Sequence, residues 1–123
     1  MRPFEKLVSI AALSVIIGGA VYAYRREKLA NTDLNSMFQE INQKYFSGGL
    51  PGVHVEWGYL DQEYGETRRF DDGKILILVD TNENTSASEV RRTLRHEACH
   101  IFVGSREPEE HGPMFQACMA RFR

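Results

Sequence analysis

His96 and His100 lie four residues apart in the segment HEACH. In an α-helix, residues at i and i+4 share one face, so two imidazoles at this spacing can bind a single metal ion. Glu97 lies between them and would stand beside the metal rather than on it. This is the HExxH pattern of zinc peptidases, in which the metal lowers the pKa of a water molecule and the glutamate takes its proton. The predicted chemistry is attack of water on a carbonyl group.

A catalytic zinc site needs three protein ligands and one open position, so a third ligand must lie elsewhere. The metzincin pattern would require glycine at position 103 and histidine at position 106, where this chain has Val103 and Arg106. A glutamate from a later helix is also excluded, because no Asp or Glu follows Glu110. His111 is therefore the candidate third ligand, with Cys118 as the alternative.

A second motif begins at His111, in the run HGPMF, whose proline is typical of the first turn of a helix. HEACH, a loop of ten residues and HGPMF together resemble the core of the SprT-like zinc metallopeptidases. The resemblance extends upstream through a helix from Leu34, the turn Gly49-Leu50-Pro51 and a strand from Val53 to Trp57. It covers about residues 32 to 123.

The resemblance implies that His96, His100 and His111 bind zinc and that Glu97 is the catalytic base. It also implies a minimal zincin fold of the α+β class: a helix, a small mostly antiparallel sheet, the HExxH helix and a C-terminal helix. The implied function is a zinc-dependent metalloendopeptidase acting on protein substrates. An extended substrate would lie along an edge of the sheet, for which the strand at residues 75–79 is the candidate.

The net charge of the predicted domain limits the kinds of partner that it can bind. Residues 31–123 carry ten Lys and Arg against fifteen Asp and Glu, a net charge near −5. Proteins that bind nucleic acid neutralise phosphates with Lys and Arg, so direct nucleic-acid binding is not expected. The zinc ribbon or DNA-binding tail of many relatives is also not seen before Arg123.

Two alternative functions stay open. One is a catalytically inactive, zinc-stabilised binding module at a membrane, against which the presence of Glu97 argues. The other is a protease of protein–DNA crosslinks that acts through a DNA-binding partner, against which the acidic domain argues.

An uninterrupted apolar segment lies near the N-terminus. The eighteen residues from Leu7 to Tyr24 carry no charge, and a helix of this length spans ~27 Å, close to the minimum for crossing a bilayer. We therefore predict that residues 1–30 hold a single-pass membrane anchor with basic flanks and that residues 31–123 form the peptidase domain. A cleaved signal peptide is the alternative, because Val21-Tyr22-Ala23 resembles a cleavage site.

The orientation of this anchor follows from its flanking charges. Three basic residues follow the span, whereas two basic residues and the amino terminus precede it. This difference slightly favours a cytoplasmic position for the domain.

The remaining elements follow from local patterns. The turn Asp71-Asp72-Gly73 and the continuous apolar run at residues 75–79 predict a hairpin of residues 67–70 and 75–79. Ser86 and Glu89 have the spacing of a capping box, so the HExxH helix should begin there and end at Gly104.

Several side chains have two interpretations. Cys99 and Cys118 are expected to be buried free thiols. The arginines of the HExxH helix are expected to form a solvated face; they are Arg91, Arg92 and Arg95. A carboxylate of loop 107–110 is either exposed charge or an acceptor that orients a ligand imidazole. Candidates for stabilising a transition state are His54, Tyr59, Tyr64 and Arg69.

The apolar segment generates the first prediction. The full chain should stay in the membrane fraction after an alkaline wash, whereas a chain lacking residues 1–30 should be released, because only burial of the 7–24 segment in lipid resists such treatment. Recovery of a shortened soluble chain from the full-length gene would instead identify a cleaved signal peptide.

Overall fold

The computed structural model describes residues 29–123. The predicted membrane segment, residues 7–24, lies outside this range. Within residues 29–123, no helix has the length and apolar character needed to cross a bilayer. The described chain is α+β. Its elements follow in the order α1 (Asn31–Phe46), β1 (His54–Gly58), β2 (Gly65–Arg69), β3 (Ile75–Asp80), α2 (Ala87–Val103), α3 (Pro113–Met119) and a final 3-10 turn (Ala120–Phe122).

Helix α1 forms where apolar residues recur at helical spacing. Leu34 and Phe38 on its inner face are fully buried. At its start, the Ala30 N–H donates to the Asp33 carboxylate over 3.0 Å. The helix ends at Ser47, whose φ of 53° is left-handed. The sequence prediction of this helix is confirmed.

The sheet has three strands in the order β1, β3, β2. Strands β2 and β3 pair antiparallel, with Thr67 opposite Ile77, as the predicted hairpin requires. Strands β1 and β3 pair in parallel, with Val55 opposite Ile77. The expectation of a mostly antiparallel sheet is therefore wrong, because the sheet is mixed.

The central position of β3 explains the difference. A hairpin fixes how its own two strands pair, but it does not fix which of them lies beside β1. Strand β3 is an unbroken apolar run, which suits a strand flanked on both sides, whereas β2 carries charged residues at an edge. Residues 75–79 thus have no free edge, and the prediction that a substrate pairs with them is wrong.

Helix α2 carries the HExxH motif across the sheet. Its N-cap is Ser86, whose hydroxyl accepts from the Glu89 N–H over 3.1 Å, and it ends at Gly104 with a φ of 58°. Helices α1 and α2 pack against each other and against the sheet. The core lies between these layers and includes the fully buried side chains of Val55, Ile77, Val79, Val90 and Leu94.

Cys99 and Cys118 form a disulfide between α2 and α3, with their Cα atoms 5.7 Å apart. Both side chains are buried, as predicted, but the expectation of free thiols is wrong. The spacing of two cysteines along the chain does not reveal that helix packing brings them together. The bond also removes Cys118 as a candidate metal ligand.

The disulfide generates a prediction about stability. Because it closes a loop between positions 19 residues apart, its reduction should lower the free energy of unfolding by ~2–4 kcal/mol. Urea unfolding of the oxidised protein with and without reductant measures this difference. A Cys99→Ala/Cys118→Ala double variant is the control and should not respond to reductant. Equal stability of the oxidised and reduced forms would contradict the assignment.

Candidate metal centre

Three imidazoles converge at the end of α2. His96 and His100 lie one turn apart on this helix, and His111 lies just before α3. Each pair of their Nε2 atoms is 3.2 Å apart. These three residues form a group whose ligand atoms could hold one metal ion.

The spacing of the three nitrogens fits a tetrahedral ion. Zinc–nitrogen bonds of ~2.0–2.1 Å at tetrahedral angles place nitrogens ~3.3–3.4 Å apart. Hydrogen bonds alone cannot satisfy the cluster, because each neutral Nε2 is either a donor or an acceptor and three mutual contacts cannot all pair. A cation at the common point satisfies all three lone pairs at once.

Burial favours the neutral form of the two imidazoles on α2, those of His96 and His100. Burial lowers the pKa of His96 to about 4, with further lowering by the neighbouring imidazoles of His100 and His111. Burial also lowers the pKa of His100, again with help from His111. Near neutral pH these two nitrogens therefore keep the lone pairs that a metal requires.

Phe115 forms an apolar support under the cluster. Its ring centroid lies 4.9 Å from that of His96 and 4.7 Å from those of His100 and His111. The side chain is buried on the inner face of α3. The ring thus restricts the orientation of all three imidazoles. The HGPMF motif contains Phe115, but sequence reasoning assigned it no separate role.

Glu107 fixes the start of α3 and so the position of His111. Its carboxylate accepts from the N–H groups of Met114, over 2.7 Å, and Phe115, over 3.2 Å. A β-carbon on Gly112 would lie 2.7 Å from the Glu107 Cδ atom, so only glycine lets the carboxylate reach the helix. The sequence left two interpretations for the carboxylates of loop 107–110, exposed charge or an acceptor for a ligand imidazole. Neither applies to Glu107, whose carboxylate caps the start of α3.

Glu97 lies between the two α2 histidines and is only 5% exposed. The Thr67 hydroxyl donates to its Oε1 over 2.6 Å. Burial raises the pKa of the Glu97 carboxyl to about 7, although the Thr67 hydrogen bond acts in the opposite direction. Nearby carboxylates raise it further. A base with this pKa can take and return a proton near neutral pH.

The sequence of residues 34–123 matches the family model of the SprT-like family. This chain belongs to the SprT-like family. The matched region contains all three histidines and Glu97, so the resemblance recognised from HEACH and HGPMF is confirmed. Among curated proteins, none gives a significant sequence match to the chain.

A cleft of about 650 Å³ opens onto the SprT-like centre. Its walls include strand β2, helix α2 and Glu110. Of the four candidates for stabilising a transition state, Tyr64 and Arg69 line this cleft. Tyr59 is 80% exposed and, like His54, is not part of its lining.

Two contacts connect β2 to the helix that carries the ligands. Arg69 Nη2 donates to the His100 carbonyl over 3.3 Å, and Thr67 holds Glu97. Sequence reasoning missed Thr67, because a hydroxyl separated from its partner by 30 residues gives no local signal.

The cluster generates a prediction about metal binding. His111→Ala should sharply lower the metal content of the purified protein, because two ligands from one helix leave a tetrahedral ion without a third protein donor. His54→Ala is the matched control, since His54 is exposed on β1 and lies outside the cluster. Elemental analysis of both variants measures the effect. Full metal occupancy in His111→Ala would contradict its role as a ligand.

Proposed function

We propose that this SprT-like chain is a zinc-dependent metallopeptidase that hydrolyses peptide bonds in protein substrates. The observation that carries the proposal is the buried Glu97 carboxylate beside a cluster of three converging imidazoles. A purely structural zinc site needs no such base. Burying a carboxylate is also costly, so its presence next to the cluster supports a catalytic role.

His96, His100 and His111 would hold the metal. When bound, zinc supplies Lewis-acid polarisation of a carbonyl group and lowers the pKa of water. Glu97 takes the proton of the attacking water and later delivers it to the leaving amine. The Thr67 hydroxyl donates to Oε1 of Glu97, so the second carboxylate oxygen is the one available for proton transfer.

Strand β2 is the candidate platform for the substrate. It is an edge strand of the sheet, and its residues Gly65, Glu66 and Thr67 line the cleft. An extended peptide can add to such an edge through backbone hydrogen bonds. This position replaces the 75–79 strand, whose two sides are both occupied.

The close packing of β2 on α2 supports this role. A β-carbon on Gly65 would lie 2.6 Å from the Thr93 Cγ2 atom and 3.4 Å from the Glu97 Cγ atom. The edge strand therefore packs closely against α2 beside the base. A substrate paired with β2 would lie alongside Glu97.

We also propose that the chain is attached to a membrane through residues 7–24. The flanking charges slightly favour a cytoplasmic domain, but the Cys99–Cys118 disulfide supports an oxidising compartment, where such bonds persist. Thiol labelling of the native chain from its own cells distinguishes the two. Unreactive cysteines that label only after reduction support the oxidising side.

Catalysis is tested at Glu97. Glu97→Gln preserves size and hydrogen bonding but removes the base, so peptide cleavage should fall by at least ~10²-fold while metal content is unchanged. Glu40→Gln is the matched control, since Glu40 is exposed on α1 and lies outside the cleft. The assay uses the zinc-loaded full chain and an unfolded protein substrate. Equal cleavage by wild type and Glu97→Gln would contradict the proposal and favour a zinc-stabilised binding module.

A further inference from the structure

A second cavity, of about 560 Å³, borders the histidine cluster. It shares His96, His111 and Arg92 with the catalytic cleft, so the two cavities meet at the metal centre. Their charges differ. The catalytic cleft is lined by four glutamates, Glu63, Glu66, Glu97 and Glu110, against two arginines, Arg69 and Arg92. Among the described residues, no acidic side chain lines the second cavity, whereas three arginines do: Arg92, Arg95 and Arg123.

Arg95 is fixed in place without a hydrogen-bond acceptor for its Nε atom. Its guanidinium carbon lies 5.9 Å from the ring centroid of Tyr45 and 5.5 Å from that of Phe122. The Nε atom is buried and has no hydrogen-bond partner within residues 29–123. The expectation of a solvated arginine face is thus wrong for Arg95. A buried unpaired donor is unfavourable, and Arg95 nevertheless lines the second cavity.

Arg92 and Arg95 also form no ion pair within the described residues. In the part of the chain that the structure describes, the ion pairs are His54 with Glu56, Arg68 with Glu66, and Lys74 with Asp72. None of them involves Arg92 or Arg95. In a domain with an excess of acidic residues, two arginines that face one cavity without a carboxylate form a local site of positive potential.

The remaining lining of the cavity is apolar. Phe115, Met119 and Phe122 contribute to it. A guanidinium group matches the geometry of a carboxylate, and the apolar walls suit the carbon atoms next to that carboxylate. The cavity therefore has the chemistry of a pocket for a carboxylate on a short carbon stem.

We propose that this cavity is a specificity subsite that binds a substrate carboxylate next to the scissile bond, through Arg92 and Arg95. The inference rests on the proposed peptidase function, since it places the carboxylate on a peptide that crosses the metal centre. Two sources supply the same chemistry. The carboxylate belongs either to an Asp or Glu side chain, as in an endopeptidase substrate, or to the C-terminus of the peptide.

Binding is measured on the full chain carrying Glu97→Gln, zinc-loaded and solubilised in neutral detergent, so that no peptide is cleaved. The probes are three fluorescent hexapeptides of otherwise identical sequence. One has a central Glu and an amidated C-terminus, one a central Gln and a free C-terminus, and one a central Gln and an amidated C-terminus. One of the two peptides that carry a carboxylate should bind at least ~10-fold more tightly than the uncharged peptide, and its identity gives the source. Equal affinity for all three peptides would overturn the proposal.

Variants of Arg92 and Arg95 test whether the preference for a carboxylate arises in this cavity. Arg92→Gln and Arg95→Met should each reduce the preference to about twofold or less, because each removes a charged donor from the cavity. Arg91→Gln is the matched control, since Arg91 is exposed on the same helix and lines neither cavity. Arg95 packs against two rings, so thermal melting must accompany its variant. Arg92 is exposed, and its variant tests the site without loss of packing.

The outcomes separate this inference from the proposed function. Cleavage by the wild-type chain with no preference among the three peptides overturns the subsite and leaves the peptidase standing. A preference that survives both Arg92→Gln and Arg95→Met also overturns it. Tighter binding of a single-stranded oligonucleotide than of any peptide, lost in the same two variants, would assign the cavity to nucleic acid instead. A carboxylate preference without cleavage supports the subsite and contradicts the peptidase.

Discussion

The candidate metal centre depends on one constraint: the Nε2 atoms of three imidazoles must be held close to a common point. Their Nε2 atoms lie 3.2 Å from one another, and three such contacts cannot all be satisfied by hydrogen bonds among the imidazoles. Helical periodicity brings two of the nitrogens together. The third comes from a different segment, whose position is set by the Glu107 cap, by the Phe115 ring and by the disulfide to Cys118. Because these three restraints act on the same short helix, the ligand geometry does not rely on any one of them.

Under the proposed function, strand β2 would connect substrate binding to catalysis. The same strand offers the free edge of the sheet to the cleft and holds the Glu97 carboxylate through Thr67. Arg69 adds a second link, to the carbonyl of His100. A peptide that orders β2 by adding to its edge would also restrict the base and the end of α2. Positioning of this kind lowers the entropy that must be lost on reaching the transition state.

The sequence predicts what local geometry determines and misses what tertiary packing determines. The HExxH helix, its Ser86 cap and the β2–β3 hairpin depend on neighbours within a few residues, and all three are present. The position of β3 between the other strands depends on which side of a hairpin meets β1, and alternation does not encode that choice. The disulfide and the Thr67–Glu97 hydrogen bond join segments 19 and 30 residues apart. Glu107 was misjudged for a related reason, since a glutamate in a polar loop gives no sign that a helix start lies within reach.

The two cavities that meet at the histidine cluster differ in the charges of the residues that line them. In the catalytic cleft, burial and then the neighbouring carboxylates raise the pKa of Glu97, and those carboxylates repel anions. The second cavity instead has arginines in the same lining as His96 and His111. Under the proposed function, a peptide crossing the centre would meet a cleft in which glutamates outnumber arginines on one side and a cavity lined by arginines on the other. Such a gradient favours one orientation of an asymmetrically charged chain over its reverse, because the reversed chain would bring its carboxylate against Glu63 and Glu66. Under the proposed function, selectivity would come from repulsion in the wrong orientation as well as from attraction in the right one.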